Sequence, residues 1–317
     1  MNALLPSGRL KWRFRASGPF LTSPCIAPDG TVYFGTSDGL MYALNPDGSL
    51  KWSYQTAGWI YDCSPALSLD GTIYFGSESS SVSHLCALNS SGSLKWRYSK
   101  HQAYFSSPAV GADGSVYLGG QDEALALRPD GSVKWRRTLG VMYETPAIGA
   151  DGSVYFGVYT SDSSCLFALD SNGVERWHYR VGMFAGSPCI GPDGTAYFVS
   201  GDTNIHAVGL DGALKWSCRM GVSSETPAIG SDGILYVGAK PTCNDSRVFA
   251  INPDGTPEWD LQVGDGYLSS PAIGPDSVVY IGSYDGYLYA IQGSAPLASS
   301  PWPKFHHDNQ NTGRAGQ

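Results

Sequence analysis

The chain has 317 residues, 20 Lys+Arg against 28 Asp+Glu, a formal net charge of −8, and 40 glycines. Hydrophobic residues at 42% support a packed core and exclude a disordered chain, and no apolar run approaches the ~18 residues of a transmembrane helix. The acidic balance, without any Lys/Arg-rich run, argues against nucleic acid and membrane insertion.

The opening segment, MNALLPSGRLKWRF, lacks the basic-then-apolar pattern of a signal peptide. It predicts a cytoplasmic protein, or an exported one whose leader is absent from this sequence. Residues 8–15 read as one strand containing a Leu-Lys-Trp run. Seven copies of a single pattern then follow. Each begins with Ser/Thr-Pro, at Ser23, Ser64, Ser107, Thr145, Ser187, Thr226 and Ser270. About ten residues later comes a tyrosine in an apolar run: Tyr33, Tyr74, Tyr117, Tyr155, Tyr197, Tyr236 and Tyr280. An alanine before an aliphatic residue comes next, then a turn. Six copies close on a tryptophan, at Trp52, Trp96, Trp135, Trp177, Trp216 and Trp259.

Each copy reads as four short β-rich runs separated by turn signals every eight to twelve residues. Many of the turns are PDG or ADG, which supply a turn former and a glycine tolerant of positive φ. Repeated four-stranded antiparallel units of about 40 residues predict an all-β, single seven-bladed β-propeller. The seventh copy lacks its DG..KW strand after Ala290-Ile291, and a strand of that kind stands at 8–15. The expectation is that the N-terminal strand completes the last blade, since an unpaired edge strand is a liability. The predicted propeller spans 1–292, and 293–317 forms a C-terminal extension containing WPKFHHDNQNTG.

The block DGLMYALNPDGSLKW at 38–52, with weaker forms elsewhere, resembles the tryptophan-docking repeat of the PQQ-like (quinoprotein-like) propellers. The resemblance covers roughly residues 8–292. It implies that Trp12 and the six repeat tryptophans dock between neighbouring blades. The PQQ enzymes of that group carry a vicinal cysteine pair and a calcium shell. No two of the seven cysteines here are adjacent, and the shell finds no residue-by-residue counterpart, so no cofactor is expected.

The cysteines show no zinc-like spacing and read as small buried residues, Cys25 and Cys189 standing where other copies have alanine. His306-His307 next to Asp308 is the one metal-like cluster, but adjacent residues seldom point the same way, so no metal is expected. By the family's layout, the residues leading into each inner strand line one mouth of the central channel. They are aromatic in six copies and supply the candidate ligand-binding set Phe20, Trp59, Tyr61, Tyr104, Phe105, Tyr143, Phe184 and Tyr267. Three carboxylates accompany them: Asp62, Glu144 and Glu225. The same copies, the second, fourth and sixth, carry longer loops at 77–84, 158–165 and 239–247.

Aromatic faces beside carboxylates suit an amine-like or sugar-like small molecule. The leading expectation is a binding or scaffold module for such a ligand or for a protein partner. The alternative is a cofactor-free cyclase, isomerase or lyase in which Glu144, Glu225 or Asp62 acts as acid or base. A PQQ-dependent dehydrogenase stands third.

Overall fold

The computed structural model describes residues 1–101, 104–160, 163–183, 185–223, 225–242 and 245–315. The described residues contain β-strands and no helix. Six copies form four-stranded antiparallel sheets, the seventh forms a three-stranded sheet, and the N-terminus forms a two-stranded one. The first copy runs Cys25–Ile26, Val32–Gly35, Leu40–Leu44, Leu50–Gln55, innermost strand to outermost. These sheets are the blades of a β-propeller.

The register explains the repeat. In the first blade one rung joins Cys25 to Tyr33, Tyr33 to Ala43, and Ala43 to Trp52. The same small–Tyr–Ala–Trp rung recurs in the next five blades, for example Ala147, Tyr155, Ala168 and Trp177. Alanine on the third strand leaves room above itself, and the tyrosine and tryptophan on either side close over it. Their ring centroids lie 5.7 Å apart in both of these blades. Next to the rung, the lysine of the Leu-Lys-Trp run pairs with the first-turn aspartate, as in Lys51–Asp29 and Lys215–Asp193. These pairs are exposed and contribute little.

Blades are joined by the same tryptophans. Trp135 donates its indole N–H to the carbonyl of Ser171, and Trp52, Trp96, Trp177 and Trp216 make the equivalent bond to the next blade. The indole lies flat on the following turn glycine, Gly173 for Trp135, which has φ +81°. A methyl group there would sit 2.7 Å from the ring. Only glycine permits both the turn and the approach.

Three structural features depart from or add to the sequence reading. First, Leu10–Arg13 does not complete the last blade. It pairs with Asn2–Leu4, with Ala3 opposite Trp12 and a bulge at the same place as in Ala43–Trp52. The opening residues MNALLPSGRLKW repeat MYALNPDGSLKW at 41–52, so this strand brings its own third-strand partner a short turn away. A short hairpin costs less closure entropy than pairing across the whole chain. The hairpin still packs on the first blade as a neighbouring blade would. Trp12 lies against Gly48 and donates to the Pro46 carbonyl, and Phe14 meets Tyr42 at 5.5 Å.

Second, the C-terminal extension ties the ring together. It bonds the inner strands in ring order: Trp302 O accepts from Ile190 N, and Pro303 O from Ile229 N. Asn309 Nδ2 then donates to Ile273 O, and Gln310, Thr312 and Gly313 carbonyls accept from Ile26, Leu67 and Val110. The step from Ile273 to Ile26 bridges the last and first blades, the junction that the N-terminal strand leaves unpaired. Third, the extension carries a polar knot into the interior. Lys304 is buried, yet its ammonium donates to the carbonyls of Phe305 and Asp308 and to Asn311 Oδ1. Burial pulls it down to about 8, so it stays charged at neutral pH. Asp308 accepts from Thr312 N and Oγ1, and burial holds His306 neutral with a value of about 3.

Gly173→Ala combines a strained φ with a clash, and its expected cost is about 2–3 kcal/mol by urea denaturation. Gly182→Ala, where an added methyl meets nothing within 4 Å, serves as the neutral control. Deleting residues 293–317 strips five inner-strand N–H groups of partners and removes the buried Trp302 from the interior. It is expected to cost roughly 5 kcal/mol or more in the same assay.

Candidate functional site

The segments leading into the inner strands sit beside the second-to-third-strand hairpins, opposite the face that the C-terminal extension crosses. In the second, fourth and sixth blades these hairpins are long: Ile73–Glu78 with Val82–Leu88, Val154–Tyr159 with Ser164–Leu169, and Leu235–Thr242 with Asp245–Ile251. Each captures its own lead-in by an extra bridge, Trp59 to Glu78, Val141 to Tyr159 and Val222 to Lys240. The lead-in side chains are thereby held against the hairpin walls.

The Ser/Thr of the Ser/Thr-Pro steps tie neighbouring blades together in four places. Ser23 N donates to Ser64 Oγ, Ser64 N to Ser107 Oγ, Thr145 N to Ser187 Oγ, and Thr226 N to Ser270 Oγ. Two of the predicted carboxylates join this belt. Ser187 Oγ donates to Glu144 Oε2 and Ser270 Oγ to Glu225 Oε2, each at 2.9 Å. Both glutamates immediately precede the motif, so each reaches the serine of the next blade. Burial pushes Glu144 up to about 7, with the charge of Glu225 adding to it and the Ser187 bond opposing it.

The aromatic candidates separate into groups. Tyr104 stacks on Tyr143 with centroids 4.8 Å apart and planes 10° apart, and Tyr143 meets the edge of Tyr159 at 5.6 Å. Tyr143 is 59% exposed, whereas the Tyr104 hydroxyl is buried with no hydrogen-bond partner. Burial raises the phenols of Tyr104 and Tyr159, helped at Tyr159 by the charge of Glu144. A groove of about 610 Å³ runs beside this cluster, lined by Asp122, Leu139, Val141, Tyr143, Tyr159 and Thr160. Trp59 and Tyr61 form a second exposed pair at 6.2 Å, next to Asp62, which takes φ +45°. Tyr267 forms a third with Tyr284, and Lys240 lies 5.1 Å over its ring. Phe20 packs edge-on against Phe34 at 5.2 Å. Phe184 falls outside the described residues.

Phe105 is a correction. It is 5% exposed and packs with Ala66, Tyr74, Leu85 and Leu118 in an interior cluster. Its neighbour Tyr104 takes the outward position because alternate residues of an extended segment face opposite ways. Two groups escaped the candidate set. Glu78 stands at the top of the second-blade hairpin, raised by burial with a further push from Asp62. Its charge also contributes to raising Tyr104. Tyr159 stands at the corresponding place in the fourth blade. Both lie in or beside the long loops, whose length was a visible signal although no single residue in them was.

The repeat, the register and the blade arrangement define a β-propeller of the PQQ-like repeat type. The family described as outer membrane protein assembly factor BamB matches residues 3–107, 83–182 and 166–295, and the chain belongs to that family. Among solved structures, BamB from Moraxella catarrhalis is similar with a TM-score of 0.72 at 18% identity, covering 90% of each chain. Virginiamycin B lyase from Staphylococcus aureus is similar with a TM-score of 0.65 at 12% identity, covering 85% of this chain and 94% of that one. A streptogramin B lyase gives 0.63 at 18% identity, over 87% and 96%. At these identities the likeness is one of fold. Comparison with curated proteins finds no match.

Glu144 yields a signed pH prediction. Its value is about 7 in the folded protein against 4.5 for an unperturbed carboxyl, so the folded state retains a proton between these limits that the unfolded chain has released. Stability therefore falls as pH rises through that window, by at most about 3 kcal/mol. Glu144→Gln keeps an acceptor for Ser187 and removes the titration. Its Tm is expected to gain a few degrees on the wild type between pH 4.5 and pH 8, and a difference independent of pH refutes the assignment.

Proposed function

We propose that the protein is a binding module whose mouth, between the third and fourth blades, takes a ligand carrying a ring or a cationic amine. The observation that carries this reading is the Tyr104–Tyr143–Tyr159 cluster beside Glu144 and Glu78. Stacked phenol faces offer dispersion contacts and negative π-faces, and a nearby carboxylate adds attraction for a cation. The Trp59–Tyr61 pair and Asp62 extend the same chemistry along the rim. In this reading residues 1–292 form a seven-bladed disc, the tryptophans dock blade on blade, and residues 293–317 fasten the ring in place of the N-terminal strand. A protein partner presenting an aromatic or lysine side chain satisfies the same chemistry as a free small molecule. Assembly-factor relatives of the BamB family support the partner reading.

A second reading rests on Glu144 alone. A carboxyl near 7 in a partly enclosed site is poised to give or take a proton at neutral pH, which fits a cofactor-free lyase or isomerase. The fold likeness to two lyases is compatible with it. Glu225 and Asp62 are the supporting carboxylates in that case.

One set of variants separates the two. Tyr104→Ala and Tyr143→Ala are expected to weaken binding of a tetramethylammonium or aryl-glycoside probe by at least tenfold, measured by titration calorimetry, with the fold intact by circular dichroism. Glu144→Gln is expected to lower amine affinity only modestly if the site binds. Full loss of turnover in Glu144→Gln, with probe affinity unchanged, decides for the enzyme. Unchanged affinity in both tyrosine variants moves the site elsewhere.

A further inference from the structure

The seventh blade ends one strand short. Its sheet runs Ala272–Ile273, Val278–Gly282, Leu288–Gln292, and the other six blades add a fourth, outermost strand. The exposure of the rung records the difference. The third-strand alanines Ala43, Ala87, Ala126, Ala168, Ala207 and Ala250 are each 0% exposed, whereas their equivalent Ala290 is exposed. The second-strand tyrosines of those six blades are buried, each beside its tryptophan with ring centroids 5.6–5.9 Å apart. Their equivalent, Tyr280, is only half-buried.

Asp276 adds a charge to the same edge. It is the first-turn aspartate of this blade and accepts from Val278 N, as Asp29 accepts from Thr31 N. In the first five blades that aspartate also pairs with the cation that precedes the tryptophan, as in Lys51–Asp29 and Lys215–Asp193. The strand that carries this cation is the one the seventh blade lacks.

We propose that this rim is an interaction surface on which a partner protein completes the seventh blade. The outer edge of Leu288–Gln292 takes an antiparallel extended strand in which a Lys or Arg immediately precedes an aromatic residue. The aromatic ring covers Ala290 beside Tyr280, and the cation meets Asp276. The complete blades are the template: in the first, Trp52 stands opposite Ala43 and Lys51 reaches Asp29. An open edge presents backbone groups to any added strand, and here side-chain shape and charge select which one. This chain has no spare strand of the kind. Lys11-Trp12 pairs with Asn2–Leu4 and is bonded to the first blade, and the repeat strands are taken up in their own blades. The same edge of a second copy offers Leu-Tyr-Ala-Ile-Gln, which has no cation. An outside protein is therefore the partner that fits. The surface shares no residue with the mouth between the third and fourth blades.

The test uses the full chain and a fluorescein-labelled peptide with the sequence of Ser49–Gln55, followed by polarisation. Saturable one-to-one binding in the micromolar to low-millimolar range is expected. Peptides with Lys changed to Glu, or with Trp changed to Ala, should bind at least tenfold more weakly. Asp276→Lys should reverse the order of the Lys and Glu peptides. Asp276→Asn keeps the turn acceptor and should abolish the discrimination between them, which repeats the test should the first variant fold poorly. Ala290→Leu fills the place of the aromatic ring and should weaken the parent peptide at least tenfold. The proposal is overturned by absence of saturable binding, by equal affinity for the three peptides, or by unaltered affinity in Ala290→Leu. Two further outcomes assign the edge to this chain itself and likewise overturn it. One is a dimer in sedimentation that Ala290→Leu dissociates. The other is a tenfold gain in peptide affinity in Trp12→Ala, which shows the N-terminal strand competing for the edge.

Discussion

The contact on which the molecule depends is a tryptophan lying flat on a glycine of the next blade. Six indoles, including Trp12, do this, each also donating its N–H to a carbonyl of that turn. The arrangement couples the two directions of the structure. Within a blade the tryptophan closes the small–Tyr–Ala–Trp rung, and between blades it sets the distance at which the next sheet may stand. Apolar burial supplies the energy, the glycine supplies the close approach, and the hydrogen bond fixes the orientation.

Because each blade contacts mainly its neighbours, a ring of this kind stands or falls by its junction. The junction here is made by the extension, from Asn309 at the last blade to Gln310 at the first, with Trp302 and the Lys304 knot anchoring it in the interior. Holding a charged lysine inside requires several acceptors around it, and three are present. The strand that the repeat pattern offered for this task is instead captured locally by Asn2–Leu4, whose register reproduces that of the first blade.

The mouth and the channel share another constraint. Ser/Thr hydroxyls accept backbone N–H groups from the preceding blade, and at two places they also hold a glutamate. Glu144 and Glu225 thus tie neighbouring blades from half-buried positions at the mouth. The tie keeps one carboxylate oxygen occupied, and burial raises Glu144. The aromatic cluster stands beside these ties because each lead-in is bridged to the hairpin of its own blade, Phe105 to Gly120 in the third and Val141 to Tyr159 in the fourth.

How much of this was legible in the residues varies by level. Fold class, the four-strand unit, the burial of Cys25 and Cys189, and the place of the long loops all follow from a period of about 40 residues and from turn chemistry. Glu144 and the tyrosines of the mouth were legible as positions in the repeat. Their partners were not, since Ser187 and Tyr159 meet them only once blades and hairpins are stacked. Phe105 and Tyr104 are adjacent aromatics, and which one faces inward is decided by the register of an isolated bridge to Gly120. The role of WPKFHHDNQNTG was invisible because it has no period and no regular structure. Its order comes from five N–H groups and one carbonyl on six separate strands, which only the closed ring brings within reach. Repetition is a local property and can be read along the chain; closure and the mouth are properties of the whole, and only the tertiary structure decides them.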